Sequence, residues 1–261
     1  MKTAAIFAAL VMLASSENIS RADDYLSGYL DLGHQYTKVT GEDLEGNFSD
    51  RMNTSTLDGA IQYRLDNCAV GLKISGSSFH LNGAAGSTST STTIGAEAGC
   101  RVKNLWIVGL GDFSSSEGDA TSRTGAYGIG LDYIFNDQYR LGFAAEQHKR
   151  SFSTPDISFN YQWMTYAIQS KYFANDDLML SSSLEFDRLD AFKSYSIFSK
   201  IEYKLKDRPL SFYAGLGADW GKADNMDVSV ESVSATVGLR FFFNDGSLKT
   251  IVNNSIPDFG N

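Results

Sequence analysis

A two-residue alternation runs through this chain from about residue 25 to residue 243, and no other feature restricts its fold as strongly. Gln138–Phe143 shows it in miniature: Tyr139, Leu141 and Phe143 share one face of a strand, while Arg140 and Gly142 share the other. A period of two belongs to an extended strand with unlike faces. In a water-soluble barrel or sandwich the polar face is the solvent coat, but here that face is small and charged, built from Gly, Ser and Thr with ionisable residues between them. Such a face fits a wet lumen, and the apolar face then turns to lipid. The pattern predicts a membrane-spanning β-barrel.

The N-terminus sets the compartment. Met1-Lys-Thr leads into the apolar run Ala4–Leu13, too short for a membrane helix and of the length of a signal-peptide core. Ser20-Arg21-Ala22 offers the small residues a signal peptidase reads, so residues 1–22 are taken as an export signal, with a cut near Ser16 as the alternative. No cysteine lies close to this region to carry a lipid anchor. The roughly 240 residues that follow contain no Pro-rich linker, charge block or second composition regime, so 23–243 reads as one barrel domain and 244–261 as a periplasmic tail. With 22 basic against 31 acidic residues and a net charge of −9, nucleic acid is a poor partner, because its binding depends on neutralised phosphates.

Short connections with turn chemistry fall at Leu65–Asn67, Val102–Asn104, Asn136–Asp137, Ala174–Asp176 and Lys206–Pro209. Longer polar connections fall between them, at Lys38–Asn53, Leu81–Thr90, Ser114–Ser122, Lys149–Asp156, Leu189–Lys193 and Gly221–Asp227. The fold class that follows is all-β: a transmembrane antiparallel up-and-down barrel of about twelve strands. The strands lie near 25–37, 54–64, 68–80, 91–101, 105–113, 123–135, 138–148, 157–173, 177–188, 194–205, 210–220 and 228–243. Short turns in the periplasm, longer loops outside and both termini periplasmic are the expected arrangement.

The outward phase collects Leu57, Ile61 and Tyr63; Val70, Leu72 and Ile74; Tyr127, Ile129, Leu131 and Tyr133; Tyr139, Leu141 and Phe143; and Val233, Ala235, Val237, Leu239 and Phe241. Aromatics gather at two levels. Tyr63, Trp106, Tyr133, Tyr139, Tyr172, Tyr203, Phe212 and Phe241 lie near the turns, and Tyr36, Phe79, Phe186, Tyr195 and Trp220 near the loops, as interfacial girdles do. Cys68 and Cys100 begin one strand of a hairpin and end its partner, both in the outward phase. A cross-strand disulfide forms there if their Cα atoms lie within about 7 Å, and two free thiols are the alternative. No second Cys/His pair completes a metal pattern, so neither metal nor cofactor is expected.

The opening Tyr25-Leu-Ser-Gly-Tyr-Leu-Asp-Leu-Gly33 resembles the first strand of Gram-negative porins, and the closing Ala235–Phe243 is similar to their last strand. The resemblance implies a bacterial outer-membrane protein in contact with outer-membrane lipids and lipopolysaccharide. Family members commonly end on the aromatic that the barrel-assembly machinery reads, whereas this chain continues through 244–261. General porins are trimers of longer, roughly sixteen-stranded chains. In size this one is closer to the twelve-stranded barrels, which include narrow substrate channels and some lipid-active enzymes.

Inward-phased charges supply the candidate pore lining. Arg64, Arg101, Arg140, Lys171 and Arg240 fall toward the turns, together with Lys73 and Lys204, and Lys200 sits nearer mid-height. Asp31, Asp58, Glu97, Glu146, Glu185, Asp187 and Asp219 fall from the middle toward the loops, while Asp132 and Glu202 lie close to the turns. Opposed sets of charge orient polar solutes and select by sign. They equally pair with one another and hold a narrow barrel shut. The acidic stretch Lys38–Asn53, with Glu42, Asp43, Glu45 and Asp50, is either solvated or bridged by divalent cations to lipopolysaccharide. The expected function is therefore passive diffusion of small hydrophilic solutes, with a closed structural or adhesive barrel as the alternative. A barrel-embedded hydrolase needs a His and a Ser within hydrogen-bond reach at the membrane boundary. His34 is phased outward, but no Gly-x-Ser-x-Gly, HExxH or phosphate-loop motif occurs, and no catalysis is expected.

Overall fold

The computed structural model describes residues 26–43, 46–81, 88–118, 121–154, 157–189, 192–223, 228–243 and 246–259. The export signal read at 1–22 lies outside the described residues. Twelve strands follow in order: β1 (Leu26–Asp43), β2 (Gly46–Leu65), β3 (Cys68–Leu81), β4 (Thr88–Val102), β5 (Leu105–Glu117), β6 (Thr121–Phe135), β7 (Tyr139–Ser153), β8 (Ser158–Phe173), β9 (Leu178–Leu189), β10 (Phe192–Lys204), β11 (Leu210–Ala223) and β12 (Val228–Phe242). Each pairs antiparallel with its neighbours in sequence, and β1 pairs with β12 from Tyr29↔Phe242 to Glu42↔Ser229. The sheet is thus a closed barrel without an edge, the solution by which strands satisfy their backbone groups in lipid.

Local chemistry explains the turns. Asp66, Lys103, Asn136, Asp137 and Asp207 all take positive φ, between 51° and 56°, at the short connections. Asp and Asn tolerate this left-handed conformation better than most side chains. The opposite connections are shorter than the sequence pattern suggests. Within 38–43, 46–53, 114–117, 121–122 and 149–153 the strands continue past the apolar belt, and β1 pairs with β2 as far as Asp43↔Gly46. These extensions are mostly polar, with isolated apolar side chains such as Phe48 and Phe152, so hydrophobic alternation fades while the backbone ladder persists.

The outer face carries the apolar phase. Leu72, Ile129 and Leu216 are each about two-thirds exposed (66–67 %), and Ile94, Phe113, Ile168, Leu184 and Val237 are exposed beside them. Apolar surface on this scale demands lipid rather than water around the barrel. Tyr63, Tyr133, Tyr139, Tyr172, Tyr203, Phe212 and Phe241 rim the belt at the turn end, and Tyr36, Tyr195 and Trp220 are exposed toward the loop end. Two of the expected girdle aromatics do not belong to it. Trp106 is 1 % exposed and faces inward opposite Arg101 and Asp132, and Phe79 falls in the inward phase of Gly71 and Lys73.

Residues 244–261, read from the sequence as a tail beyond the barrel in the periplasm, do not stay outside it over their described part. Ser247 caps a short helix, α1 (Leu248–Asn254), its hydroxyl accepting from the Thr250 amide at 3.2 Å. The chain then runs without regular secondary structure through Ile256, Pro257, Asp258 and Phe259. Both hydrophobic clusters among the described residues are built between this segment and the inner wall. One joins Ile256 and Phe259 to Ala69, Trp106, Val108, Ile134, Ala144 and Ala167. The other joins Leu248 and Ile251 to Phe173, Met179 and Phe242.

Candidate functional site: the lumen and its C-terminal plug

The tail crosses the bore at the turn end and is held from opposite walls. On one side Lys249 Nζ meets Asp176 Oδ1 at 2.6 Å, in the turn between β8 and β9. Asn253 Nδ2 donates to the Asp137 carbonyl in the β6–β7 turn at 3.0 Å. Across the barrel, the Ile256 amide donates to Gln62 Oε1 of β2 at 3.0 Å, and Lys73 Nζ of β3 pairs with Asp258 Oδ1 at 2.9 Å. Between these points Arg140 of β7 donates through Nη1 to the Val252 carbonyl. Phe259 lies flat against Gly130 and Gly142, where a Cβ on Gly142 would stand 2.8 Å from its ring. Glycine at both places lets the ring approach the backbone.

The carboxyl of Asp258 sits between opposing influences. Burial favours its neutral form, but Lys73 and then Lys171 overcome that and hold it below the usual carboxylate range. Lys73 in turn also pairs with Glu97 at 2.6 Å, and Glu97 accepts from Gln62 Nε2 at 2.8 Å. The tail thereby completes a polar network anchored in β2, β3 and β4.

A second network closes the seam between β1 and β12. Arg240 and Asp31 face each other in register and pair at 2.7 Å, and the guanidinium lies 4.6 Å from the ring centre of Tyr29. Asp31 also accepts from Tyr213 Oη at 2.6 Å. Glu202 receives Arg240 and Lys200, each at 3.4 Å, and Ser211 Oγ at 2.6 Å. Charges buried this deeply persist because each is hydrogen-bonded and matched in sign.

The remaining candidate lining residues divide by position. Arg64 and Arg101 keep the inward phase at the turn-side ends of their strands, below the cavity, each donating to its own hairpin turn, to the carbonyls of Asp66 at 3.1 Å and Lys103 at 2.8 Å. Asp132 is locked to Arg140 at 2.8 Å, both nearly inaccessible, beneath the tail. Above the tail a cavity of about 700 Å³ is lined by Asp58, Glu146, Lys171, Glu185, Lys200 and Asp219, among others. Asp187 lies nearby, accepting from Thr165 and Ser194. Counted along their strands from the turns, Asp58, Asp112, Glu146, Glu185, Asp187 and Asp219 all lie farther out than Lys73, Arg140, Lys171, Lys200 and Arg240. The lumen is thus plugged and charge-paired at the turn end, where Asp31, Glu97, Asp132, Glu202 and Asp258 meet these cations, and acidic above it.

Sequence reading missed the plug, although a signal existed. Inward positions near the turns carry Trp106, Val108, Ile134, Phe173, Met179 and Phe242, which a water-filled mouth does not need. On the outer face, Cys68 and Cys100 are directly paired and joined by a disulfide, with Cα atoms 3.9 Å apart. His34 Nδ1 and Ser55 Oγ approach to 3.2 Å on the same face. The strand amides around that pair are committed to the ladder. His148 stacks on Trp163, with ring centres 4.7 Å apart, and its Nε2 lies 3.5 Å from Glu146.

No protein-family model matches the chain, and no curated protein matches it. Solved structures do. The translocator domain of autotransporter NalP from Neisseria meningitidis superposes with a TM-score of 0.60 at 9 % identity, covering 91 % of this chain and 95 % of that one. A FadL homologue from Pseudomonas aeruginosa gives 0.53 at 11 % identity, covering 85 % and 91 %. The monoaromatic hydrocarbon channel CymD gives 0.52 at 9 % identity, covering 87 % and 90 %. Identity this low speaks for the fold alone, and the fold this chain shares with them is that of the outer-membrane β-barrels.

Proposed function

We propose that the chain is an outer-membrane channel for small hydrophilic solutes whose turn-side mouth is closed by its own C-terminal segment. The observation that carries this is the tail's attachment to opposite walls, from Asp176 to Lys73, beneath a cavity of about 700 Å³ whose lining includes Asp58, Glu146, Glu185 and Asp219. A barrel meant only to be filled has no use for a separable plug under a wet chamber. Two of the similar structures are a monoaromatic hydrocarbon channel and a FadL homologue. The carboxylates and serines above the tail favour polar solutes here instead. In this reading the turns and both termini face the periplasm, the extended hairpins face outward, and outer-membrane lipids, lipopolysaccharide and the barrel-assembly machinery are the partners. The protein works without catalysis or cofactor.

Planar-bilayer recording of the refolded full chain against a chain ending at Phe243 tests the proposal. The full chain should be closed for most of the time and the shortened one steadily conductive. If both are silent, and liposomes bearing either remain impermeable to small sugars, the barrel is a closed structural one.

A further inference from the structure

Above the apolar belt the β7–β8 hairpin exchanges the character of its two faces. Within the belt Leu141, Phe143, Tyr166 and Ile168 are exposed on the outside, and Gly142, Ala144, Ala167 and Gln169 hold the inward phase. Beyond Met164 the outward positions are Lys149, Ser151 and Ser153 on β7 and Ser158, Asn160 and Gln162 on β8, all exposed. The inward positions are His148, Arg150 and Phe152 facing Trp163, Tyr161 and Phe159. The pairing of β8 with β9 reaches Met164↔Arg188, so these three aromatics stand beyond it, on the mouth side.

The rings form one continuous row. Phe152 and Phe159 have centres 5.0 Å apart, Tyr161 follows Phe159 at 5.9 Å, Trp163 follows Tyr161 at 5.5 Å, and His148 stacks on Trp163 at 4.7 Å. From each ring to the next the planes turn by 33° or less. A row that served only as core would be covered, yet Phe159 is 47 % exposed and the other four are partly so. Beside it β6 supplies small side chains, with Ala126 opposite His148, Thr124 opposite Arg150 and Ser122 opposite Phe152. Polar groups border the row. Arg150, opposite Tyr161, donates through Nη2 to Ser122 Oγ at 2.9 Å. Below Trp163 the next inward pair is Glu146 and Thr165: Glu146 lines the cavity, and Thr165 donates to Asp187. The row thus leads from the mouth toward a cavity whose lining also holds Ser75, Ser181, Ser182 and Ser196.

We propose that this row is a docking strip for neutral oligosaccharides, whose pyranose rings lay their C–H faces on Phe159, Tyr161 and Trp163 while their hydroxyls reach Arg150, Glu146 and Asp187. This rests on the reading of the chain as a channel for hydrophilic solutes and names the class of solute. A pyranose has an apolar face and a rim of hydroxyls, so it takes flat rings and hydrogen-bonding groups side by side. A hydrocarbon would strip water from the charged groups and return no hydrogen bond. The carboxylates at the foot of the row repel acidic sugars. From Phe159 to Trp163 the strand runs about 14 Å, room for more than one sugar ring.

The test titrates the refolded full chain by calorimetry, in a detergent without a sugar head group. The probes are the neutral trisaccharides maltotriose, cellotriose and mannotriose, with trigalacturonate as the acidic sugar and phenol as the monoaromatic. At least one neutral trisaccharide should bind, and W163A and Y161A should each weaken it about tenfold, while W163F keeps most of the affinity. W220A, on the outer girdle, should change nothing, and heat-modifiable gel migration should show every variant folded. Absence of binding by all three neutral probes overturns the strip, as does equal binding by W163A and the wild type. Tighter binding of trigalacturonate, or displacement of the sugar by phenol at matched concentration, overturns the neutral-sugar assignment. The channel reading fails separately: sugar binding by a barrel whose tail-shortened form leaves liposomes impermeable keeps the strip and ends the channel. Permeable liposomes without sugar binding do the reverse.

Discussion

Lys73 on the barrel wall and Asp258 on the C-terminal segment are 185 residues apart in sequence and 2.9 Å apart in space. That pair, with Glu97 as the third member, ties the plug to the wall.

Replacing Asp258 by Asn should loosen the plug and raise the open time in bilayer recordings at neutral pH. Mild acid should not mimic it. The docked carboxyl titrates below its ordinary value, so its contribution is fully present above the ordinary carboxyl range, near pH 4, and is lost only as pH falls through the lower docked value. Recordings at about pH 5 should match those at about pH 7. Opening of the wild-type channel between these values would show that another group governs the tail.

Gly130 should be as important to closure as any tail residue. A Cβ there would collide with the Phe259 ring, while Val suits a strand, so Gly130→Val should leave the wall intact and displace the plug. Phe259→Ala removes the same contact from the other side at about 3 kcal/mol of docking free energy, on the order of a hundredfold in the docking equilibrium. Because both changes break one contact, the double variant should open little more than either single one. Additive effects in bilayer recordings would place Phe259 elsewhere in solution.

The barrel was legible because each strand reports its own two faces. Tyr139, Leu141 and Phe143 against Arg140 and Gly142 need no distant information, and Asp66 or Asp207 marks a turn by its own backbone preference. The plug was not legible, because Ile251, Ile256 and Phe259 form no periodic pattern, and their partners are scattered over the wall from Ala69 to Phe242. Trp106 misled for the same reason. An aromatic near a turn has two homes, the girdle or the plug interface, and only the register of β4, β5 and β6 decides between them. The hairpin extensions above the belt were lost because their ladder is held by backbone hydrogen bonds, to which hydropathy is blind.

The disulfide should be measurable directly. The denatured, unreduced protein should take up no alkylating reagent, and reduction should expose the thiols of Cys68 and Cys100. Replacing both by Ser should lower the heat-unfolding temperature without changing the strand order, since the bond closes a loop of 32 residues. In the chain-entropy model that closure is worth about 4 kcal/mol. An unchanged unfolding temperature would mean that the β3–β4 pairing already supplies the constraint.

Charge selectivity should reside above the plug rather than in the cations at the turn end. Glu185 and Asp187 stand on β9 beyond Lys171 and Lys200, so E185Q/D187N should lower cation preference in reversal potentials measured with the tail-shortened chain. Arg140 should behave differently from a filter charge. Its guanidinium is enclosed by Asp132 and the Val252 carbonyl, and Arg140→Gln leaves Asp132 buried without its cation. The cost, about 3 kcal/mol, falls on the wall and on tail docking together. The expected result in the full chain is therefore more frequent opening and lower thermal stability, with selectivity unchanged. A clean shift toward cations without a change in open time would return Arg140 to the conducting path.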